Sequence, residues 1–272
     1  MAASDAKTAV RRYFDDDVAG YLDAYRPGRP GDSRRDVFQE RRDLVLEMAP
    51  ATAARVLDIG AGPGVFTRQL LGRGSRCWVI DLSYEMVRAA SREVDAAPGR
   101  ACFMVGDLDR LPLADASVDA AICVGVLQYL PSLEFAFKEL ARVVAPRGHV
   151  VLTFPNASSP LNVMHRVAIG AARRGRAFAS GIGWAPTPDP SRLTFRADIP
   201  NHWFSSEEID RRARAAGFVL DEVRYHVYQF PFSVPGLGFA IRGWNRLVRG
   251  RLPGGRLGPW GREGVVRLIR VR

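Results

Sequence analysis

The sequence predicts an α/β protein built on a doubly wound, mostly parallel sheet of seven strands, and three observations lead to this fold class. Strand-like and helix-like segments alternate from residue 35 to about residue 156, which is typical of parallel sheets with helical crossovers. The strand-like segments are continuous apolar runs, as expected of strands covered on both faces. A glycine-rich turn follows the first of these runs, at the edge where ligands bind such sheets.

The individual elements follow from the apolar runs and from the residues that begin or end helices. The predicted strands are 55–60, 77–81, 102–107, 120–126, 146–156, 219–227 and 264–271. The predicted helices are 35–48, a helix from about residue 65, 83–93, 133–144 and 205–218. The last helix is capped by Ser205 or Ser206 and stopped by Gly217, because hydroxyl side chains favour helix starts and glycine favours helix ends.

Length and composition indicate one domain over residues 1–272, since 272 residues with 47% hydrophobic content can fill one sizeable core. The net charge is +10, but only Lys7 and Lys138 are lysines, and the other 37 of the 39 basic residues are arginines spread along the chain. Nucleic-acid binding favours basic residues gathered on one face, so a nucleic-acid partner is not expected. No apolar run reaches about 18 residues, and the charged N-terminal segment lacks an apolar centre, which predicts a cytoplasmic location.

The three cysteines have no paired spacing and all fall in predicted strands. Cys77, Cys102 and Cys123 are therefore interpreted as small buried apolar residues, and neither a disulfide nor a metal site is predicted.

The turn over 60–64 predicts a nucleotide-like ligand. Gly60, Gly62 and Gly64 remove the Cβ atoms and tolerate positive φ, so a ligand can lie against the backbone. Asp81 ends the second strand, where a carboxylate can accept both hydroxyls of a ribose. That arrangement alone also suits a nicotinamide cofactor, but the dinucleotide fingerprint requires glycine where Val65 stands.

Several motifs, found in the same order along the chain, resemble those of one protein family. The pattern D-x-G-x-G-x-G at 58–64 resembles motif I of the class I S-adenosylmethionine-dependent methyltransferases. VGDLDRLPLADASVD (105–119), the segment 122–156 and HWFSSEEIDRRARAAGF (202–218) are similar to later motifs of the same family. The resemblance covers about residues 13–227 and is greatest to the ubiquinone and menaquinone biosynthesis type. It implies a Rossmann-like methyltransferase fold with a cap insertion, and S-adenosylmethionine as the cofactor.

The resemblance assigns roles to individual residues. Asp107, with Leu108, is expected to face the adenine. The candidate cofactor-binding residues are Tyr21, Asp58, Gly60, Ala61, Gly62, Gly64, Asp81, Leu82, Met86, Asp107, Leu108 and Val124. Two departures from the family pattern are Gln128, where relatives often carry His or Glu, and Arg147, where they carry glycine. Gln128 leaves the rim of the site without a titratable group at that position.

The N-terminal segment 1–34 resembles the family's lid. YFDDDVAGYLDAY at 13–25 retains Phe14, Asp15 and Tyr21 of that pattern. The resemblance implies that this segment folds over the cofactor and that Tyr21 contacts it. The alternative is an amphipathic helix that only packs its aromatic side chains on the domain.

Methyl transfer from a sulfonium can rely mainly on proximity and orientation. An oxygen acceptor would benefit from a general base, and His202, beside the irregular segment 157–204, is the candidate. The alternative for His202 is a hydrogen-bonded residue at the rim. We interpret 157–204 as a cap over the acceptor, because long irregular loops at this edge of a sheet usually carry substrate contacts. The expected reaction is O- or C-methylation of a small or lipid-linked acceptor.

A basic amphipathic insertion is predicted at 230–262, before the last strand. Within it, the helix-like stretch 236–249 separates an apolar side from an arginine side. Such a helix suits an anionic membrane surface, which predicts peripheral contact at the inner membrane face; covering the sheet edge is the alternative. Two other functions are weighed: a nicotinamide-dependent oxidoreductase, disfavoured by Val65 and Asp107, and a non-catalytic membrane-associated module. The oligomeric state is left open.

Overall fold

The computed structural model describes residues 3–26, 33–95, 99–164, 166–167, 199–227 and 258–271. Its strands are β1 (Arg55–Ile59), β2 (Arg76–Asp81), β3 (Ala101–Val105), β4 (Val118–Cys123), β5 (Val144–Pro155), β6 (Phe218–His226) and β7 (Glu263–Arg270). They form one seven-stranded sheet in the order β3-β2-β1-β4-β5-β7-β6. Neighbouring strands are parallel except that β7 runs antiparallel to both β5 and β6. The predicted fold class is confirmed.

The helices lie between these strands and before the first one. Those with both ends in the described residues are α1 (Ala3–Asp16), α2 (Val18–Tyr25), α3 (Ser33–Met48), α4 (Val65–Gly72), α5 (Tyr84–Glu93), α6 (Leu133–Val143) and α7 (Ser206–Ala215). Short 3₁₀ turns occur at Leu127–Tyr129 and Gly258–Trp260. Ser205 caps α7, because its side chain accepts a hydrogen bond from the Glu208 amide. The chain then leaves α7 through Gly217, whose φ is +89°.

Apolar side chains cover both faces of the sheet. On β1, Val56 and Leu57 belong to clusters on opposite faces, and both are almost fully buried. On β4, Ile122 and Cys123 divide between the same two clusters. Because successive strand residues point to opposite faces, a strand covered on both sides is mostly apolar, and the buried Asp58 of β1 is paired with the Thr67 hydroxyl. This is the physical origin of the continuous apolar runs in the sequence.

The edge strand β3 explains the one cysteine prediction that is wrong. Cys77 and Cys123 are buried, but Cys102 is exposed. Cys102 lies on β3, one of the two edge strands, whose partner among the described strands is β2 and none of whose residues is buried. A strand at this edge receives less helical cover than the central strands, so an apolar run there does not guarantee burial.

Two strands end two or more residues earlier than predicted. β3 stops at Val105, before Gly106, and Asp107 then pairs with Arg110 in an isolated bridge. β4 stops at Cys123, before Gly125 turns the backbone with a φ of +69°. The predicted β3 includes Gly106 and Asp107, which are not apolar, whereas after β4 the apolar residues Val124 and Val126 continue past the point at which the backbone leaves the sheet.

Two predicted segments fall largely outside the described residues. They are most of the cap insertion 157–204 and most of the basic insertion 230–262, including 236–249. Within the described ranges, every helix is too short or too polar to cross a lipid bilayer.

Candidate functional site

The three glycines of the glycine turn (residues 60–64) are needed for two different reasons. All three have positive φ, at +62°, +53° and +79°. A Cβ on Gly60 would lie 2.2 Å from Val126, and one on Gly64 would lie 2.7 Å from Val94, so both are needed for close packing. A Cβ on Gly62 would meet nothing within 4 Å. Gly62 therefore faces open space, where a ligand can approach the backbone.

Asp58 lies beneath the glycine turn and supports it. Its side chain is 1% exposed, and its Oδ2 accepts a hydrogen bond of 2.6 Å from the Thr67 hydroxyl. Burial raises the pKa of Asp58 to about 6, against the opposing effect of the Thr67 hydrogen bonds. This contact joins β1 to α4, so Asp58 holds the turn in place from below.

Asp81 is fixed at the end of β2 and faces the space beside Gly62. Its Oδ2 accepts a 2.8 Å hydrogen bond from the Gly62 amide, and its Oδ1 accepts one of 2.9 Å from the Ser83 amide. Burial raises the pKa of Asp81 to about 6, although the Ser83 and Gly62 hydrogen bonds oppose this rise. The carboxylate is thus held in one orientation before any ligand arrives.

A cavity, here the glycine-turn cavity, opens between the glycine turn and the N-terminal helices. About 760 Å³ of space, part of it open to solvent, lies within its walls. Predicted residues in its lining are Tyr21, Gly60, Gly62, Asp81, Leu82, Met86, Asp107, Leu108 and Val124. The predicted residues that do not line it are Asp58, Ala61, Gly64 and His202.

The structure adds lining residues that the sequence reasoning missed. They include Lys7, Val10, Phe14, Gly125, Val126, Tyr129 and Leu130. Most of these residues lie in segments that the family motifs cover, but the sequence does not show which of their side chains face the cavity. Lys7 carried no signal, since its partners are about a hundred residues away in the chain.

The helix α1 is held over the glycine-turn cavity at both ends. Near its start, Lys7 Nζ lies 2.5 Å from one carboxylate oxygen of Asp107 and one of Asp109. Near its end, Asp15 accepts a 2.6 Å hydrogen bond from the Ser83 hydroxyl. Although burial opposes it, the two carboxylates raise the pKa of Lys7, so its ammonium group stays charged. Thus α1 forms a lid that ion pairs hold near its start and a hydrogen bond holds near its end.

Aromatic packing closes the same lid. Phe14 makes edge-to-face contacts with Tyr13, Tyr21 and Tyr129, with ring centroids 5.0 to 5.4 Å apart. Tyr21 also packs on Phe38 of α3. Because Tyr21 both packs in this cluster and lines the cavity, the two alternatives for the N-terminal segment are compatible.

Lys7→Ala should loosen the lid and weaken cofactor binding about fivefold, since each partly exposed ion pair contributes up to about 1 kcal/mol. Lys138→Ala is the matched control, because Lys138 pairs with Glu134 on the exposed side of α6. Calorimetry on both variants measures the effect. Acylation of wild-type amines, read by mass spectrometry, should modify Lys7 more slowly than Lys138. Equal acylation rates with cofactor present would contradict a closed lid.

Comparison with known proteins agrees with this geometry. A family model described as "Methyltransferase domain" matches residues 57–152. A malonyl-[acyl-carrier protein] O-methyltransferase of Erwinia pyrifoliae is 36% identical over 129 residues, which cover 47% of this chain and 48% of that protein. The chain therefore matches only about half the length of such relatives. A demethylmenaquinone methyltransferase of Mycolicibacterium vanbaalenii is 30% identical over 176 residues, covering 64% of this chain and 71% of that protein.

Solved structures show the same fold. Magnesium protoporphyrin IX methyltransferase from Synechocystis, with bound S-adenosylhomocysteine, superposes with a TM-score of 0.63 at 17% identity, over 97% of this chain and 99% of that one. The glycine turn, the anchored Asp81 and these relatives lead to one class: the chain belongs to the S-adenosylmethionine-dependent methyltransferases. The family and the cofactor predicted from the sequence are confirmed, and a nicotinamide cofactor is set aside.

Proposed function

We propose that the protein transfers a methyl group from S-adenosylmethionine to a small or lipid-linked acceptor by O- or C-methylation. The observation that carries this proposal is the lidded cavity in which Gly62 and Asp81 face open space at the carboxyl edge of the sheet. The names of the relatives, an acyl-carrier-protein O-methyltransferase and a demethylmenaquinone methyltransferase, support the acceptor class.

The described residues fit the cofactor. The open space beside Gly62 admits a ligand against the backbone, and the fixed Asp81 carboxylate can accept hydroxyl hydrogen bonds from a ribose. Met86 and Leu108 supply buried apolar surface. At the adenine end, Asp107 is held by Lys7 and by the Asp109 amide, so its carboxylate is oriented as that of Asp81 is.

The chemistry needs little from the protein beyond position. The bound cofactor supplies a methyl group on a sulfonium, a good leaving group for an in-line displacement. The protein holds the reactants in line and excludes water, and each of these lowers the barrier. The aromatic cluster around Phe14 and the charge-held α1 provide the exclusion, since together they roof the cavity.

A base at His202 stays a prediction. Its amide donates a 2.9 Å hydrogen bond to the Gln128 carbonyl, and its side chain is exposed. If the ring reaches an oxygen acceptor, His202→Ala should lower turnover about a hundredfold with unchanged cofactor affinity. Turnover within about twofold of wild type would leave His202 only its backbone contact.

The function is tested by binding and then by transfer. Calorimetry with S-adenosylmethionine, S-adenosylhomocysteine and NAD in parallel should show binding of the first two only. Methyl-labelled cofactor is then incubated with a malonyl thioester of acyl carrier protein and with a demethylated quinol. Label in an extracted product supports the proposal, and failure of S-adenosylmethionine to bind would refute it.

Peripheral membrane contact through 236–249 is a separate proposal, which rests on the sequence pattern alone. Each arginine of this stretch would add about 1 kcal/mol at an anionic surface, and salt would screen that part. Cosedimentation should therefore show pelleting with anionic vesicles at low salt, less at high salt, and little with neutral vesicles. No pelleting with anionic vesicles at low salt would end this proposal.

A further inference from the structure

A second cavity, here the Gln128 cavity, meets the glycine-turn cavity at Gly125. Gly125 lines the glycine-turn cavity, and a Cβ on it would lie 4.0 Å from both Arg41 Nη1 and Gln128 Nε2. Both of those residues line the Gln128 cavity, which encloses about 590 Å³ out to its mouth. Its polar lining residues are Arg41, Gln128, Asn162, Asn201, Arg262 and Glu263.

The hydrogen-bond donors of the Gln128 cavity are largely used within the protein. Arg41 donates through Nε and Nη2 to Glu263 Oε2, at 3.1 and 2.7 Å. Arg262 Nε donates to Asn162 Oδ1 at 2.9 Å. The Asn162 amide in turn donates to two backbone carbonyls. These donors of Arg41, Arg262 and Asn162 therefore point to acceptors within the protein.

Hydrogen-bond acceptors, in contrast, are left over. Gln128 is 8% exposed, and its Nε2 donates to the Gly125 carbonyl at 3.0 Å, which fixes the orientation of the amide. Its Oε1 is buried and has no partner among the described residues. Asn201 Oδ1 is in the same state. Native proteins rarely leave buried oxygens unpaired, so both point to a donor that is absent here.

The charge of the cavity adds a second constraint. Although burial opposes it, Arg41 lowers the pKa of Glu263, so this carboxylate is charged. An incoming carboxylate beside Gln128 would meet Glu263 and two amide oxygens, while the two guanidinium groups of the lining are already engaged, Arg41 by Glu263 and Arg262 by Asn162. Like charges and facing acceptors repel one another, which disfavours an anionic group at this place.

We propose that the Gln128 cavity binds the acceptor through a hydroxyl group whose single hydrogen is shared between Gln128 Oε1 and Asn201 Oδ1 in a three-centre hydrogen bond, and that it selects hydroxyl-bearing over carboxylate-bearing acceptors. This inference rests on the proposed function and names its substrate class. Sites built to hydrogen-bond a hydroxyl discriminate strongly, because their buried polar groups stay unpaired with any other ligand.

The test uses two probes that share one ring system, 2-naphthol and 2-naphthoate, titrated by ligand-observed NMR at pH 7 into protein saturated with S-adenosylhomocysteine. We expect 2-naphthol to bind at least about tenfold tighter than 2-naphthoate. Gln128→Leu should weaken 2-naphthol binding about tenfold. Gln69→Leu, the same change at an exposed position of α4, should leave it unchanged.

Because Gln128→Leu also removes the contact with the Gly125 carbonyl, Asn201→Leu serves as a second variant with the same expected direction. Binding of S-adenosylhomocysteine in the same samples tests the proposed function separately, and its absence would refute that function. With the cofactor product bound, three results overturn the inference: 2-naphthoate binding as tightly as 2-naphthol, no binding of either probe, or both variants matching Gln69→Leu.

Discussion

Gly62→Val should lower S-adenosylmethionine affinity by about a hundredfold or more while the protein still folds. The added side chain would extend into the open space beside residue 62, because even its Cβ meets no atom within 4 Å. That space is the part of the glycine-turn cavity that a ligand must fill, and overpacking of this kind costs about 1–3 kcal/mol or more. Calorimetry measures the affinity, and circular dichroism measures thermal unfolding.

Gly74→Val is the matched control for this variant. Gly74 also has positive φ, at +96°, and also faces open space, but it follows α4 outside the cavity. Both substitutions should cost about 1–2 kcal/mol of stability through backbone strain. Only the change at Gly62 should affect binding. Similar affinities in the two variants would show that the cofactor does not lie against the glycine turn.

Asp81→Ala should weaken S-adenosylmethionine binding by about 1.5–3 kcal/mol, the usual contribution of a hydrogen bond to a charged group. Asp81 is already oriented by the Gly62 and Ser83 amides, so its side chain loses little conformational entropy when the cofactor binds. Calorimetry at constant pH gives the difference directly. An unchanged affinity would place the ribose elsewhere.

The same carboxylate should make binding depend on pH. Because the pKa of Asp81 is raised to about 6, the group is ionised at pH 7 and mostly protonated at pH 5. A protonated carboxyl is the poorer acceptor, so affinity should fall about tenfold as the pH is lowered across this range. In Asp81→Asn the fall should disappear. If it persists there, it belongs to Asp58, whose pKa is also raised to about 6.

The fold could be predicted because its signals are local. Continuous apolar runs such as residues 120–123 are typical of strands that helices cover on both faces. The predictions were wrong where burial or the end of a strand depends on parts of the chain that are distant in sequence. Cys102 looks like its neighbours in sequence and is exposed because β3 is the outermost strand. The early ends of β3 and β4 depend on where the backbone turns, which an apolar run does not reveal.

The residues of the candidate site likewise fall into those that local sequence signals predict and those that they do not. Gly62 and Asp81 were predictable because a turn after one strand and a carboxylate at the end of the next reach the same edge of the sheet. The contacts of Lys7 and Arg41 were not, since they cross 100 and 222 positions of the chain. Gln128 was noticed only as a departure from the family pattern. Its unpaired Oε1 indicates a ligand contact only once the fold places Gln128 at a cavity.

The attachment of α1 at both ends bears on the catalytic cycle. The contacts of Lys7 with Asp107 and Asp109 and of Asp15 with Ser83 must break before α1 can move away and widen the exit for spent cofactor. We therefore expect the release of S-adenosylhomocysteine, and not the methyl-transfer step, to set the turnover rate. Dissolved ions weaken contacts between partly exposed charges, so moderate salt should accelerate steady-state turnover while leaving a single-turnover burst unaltered.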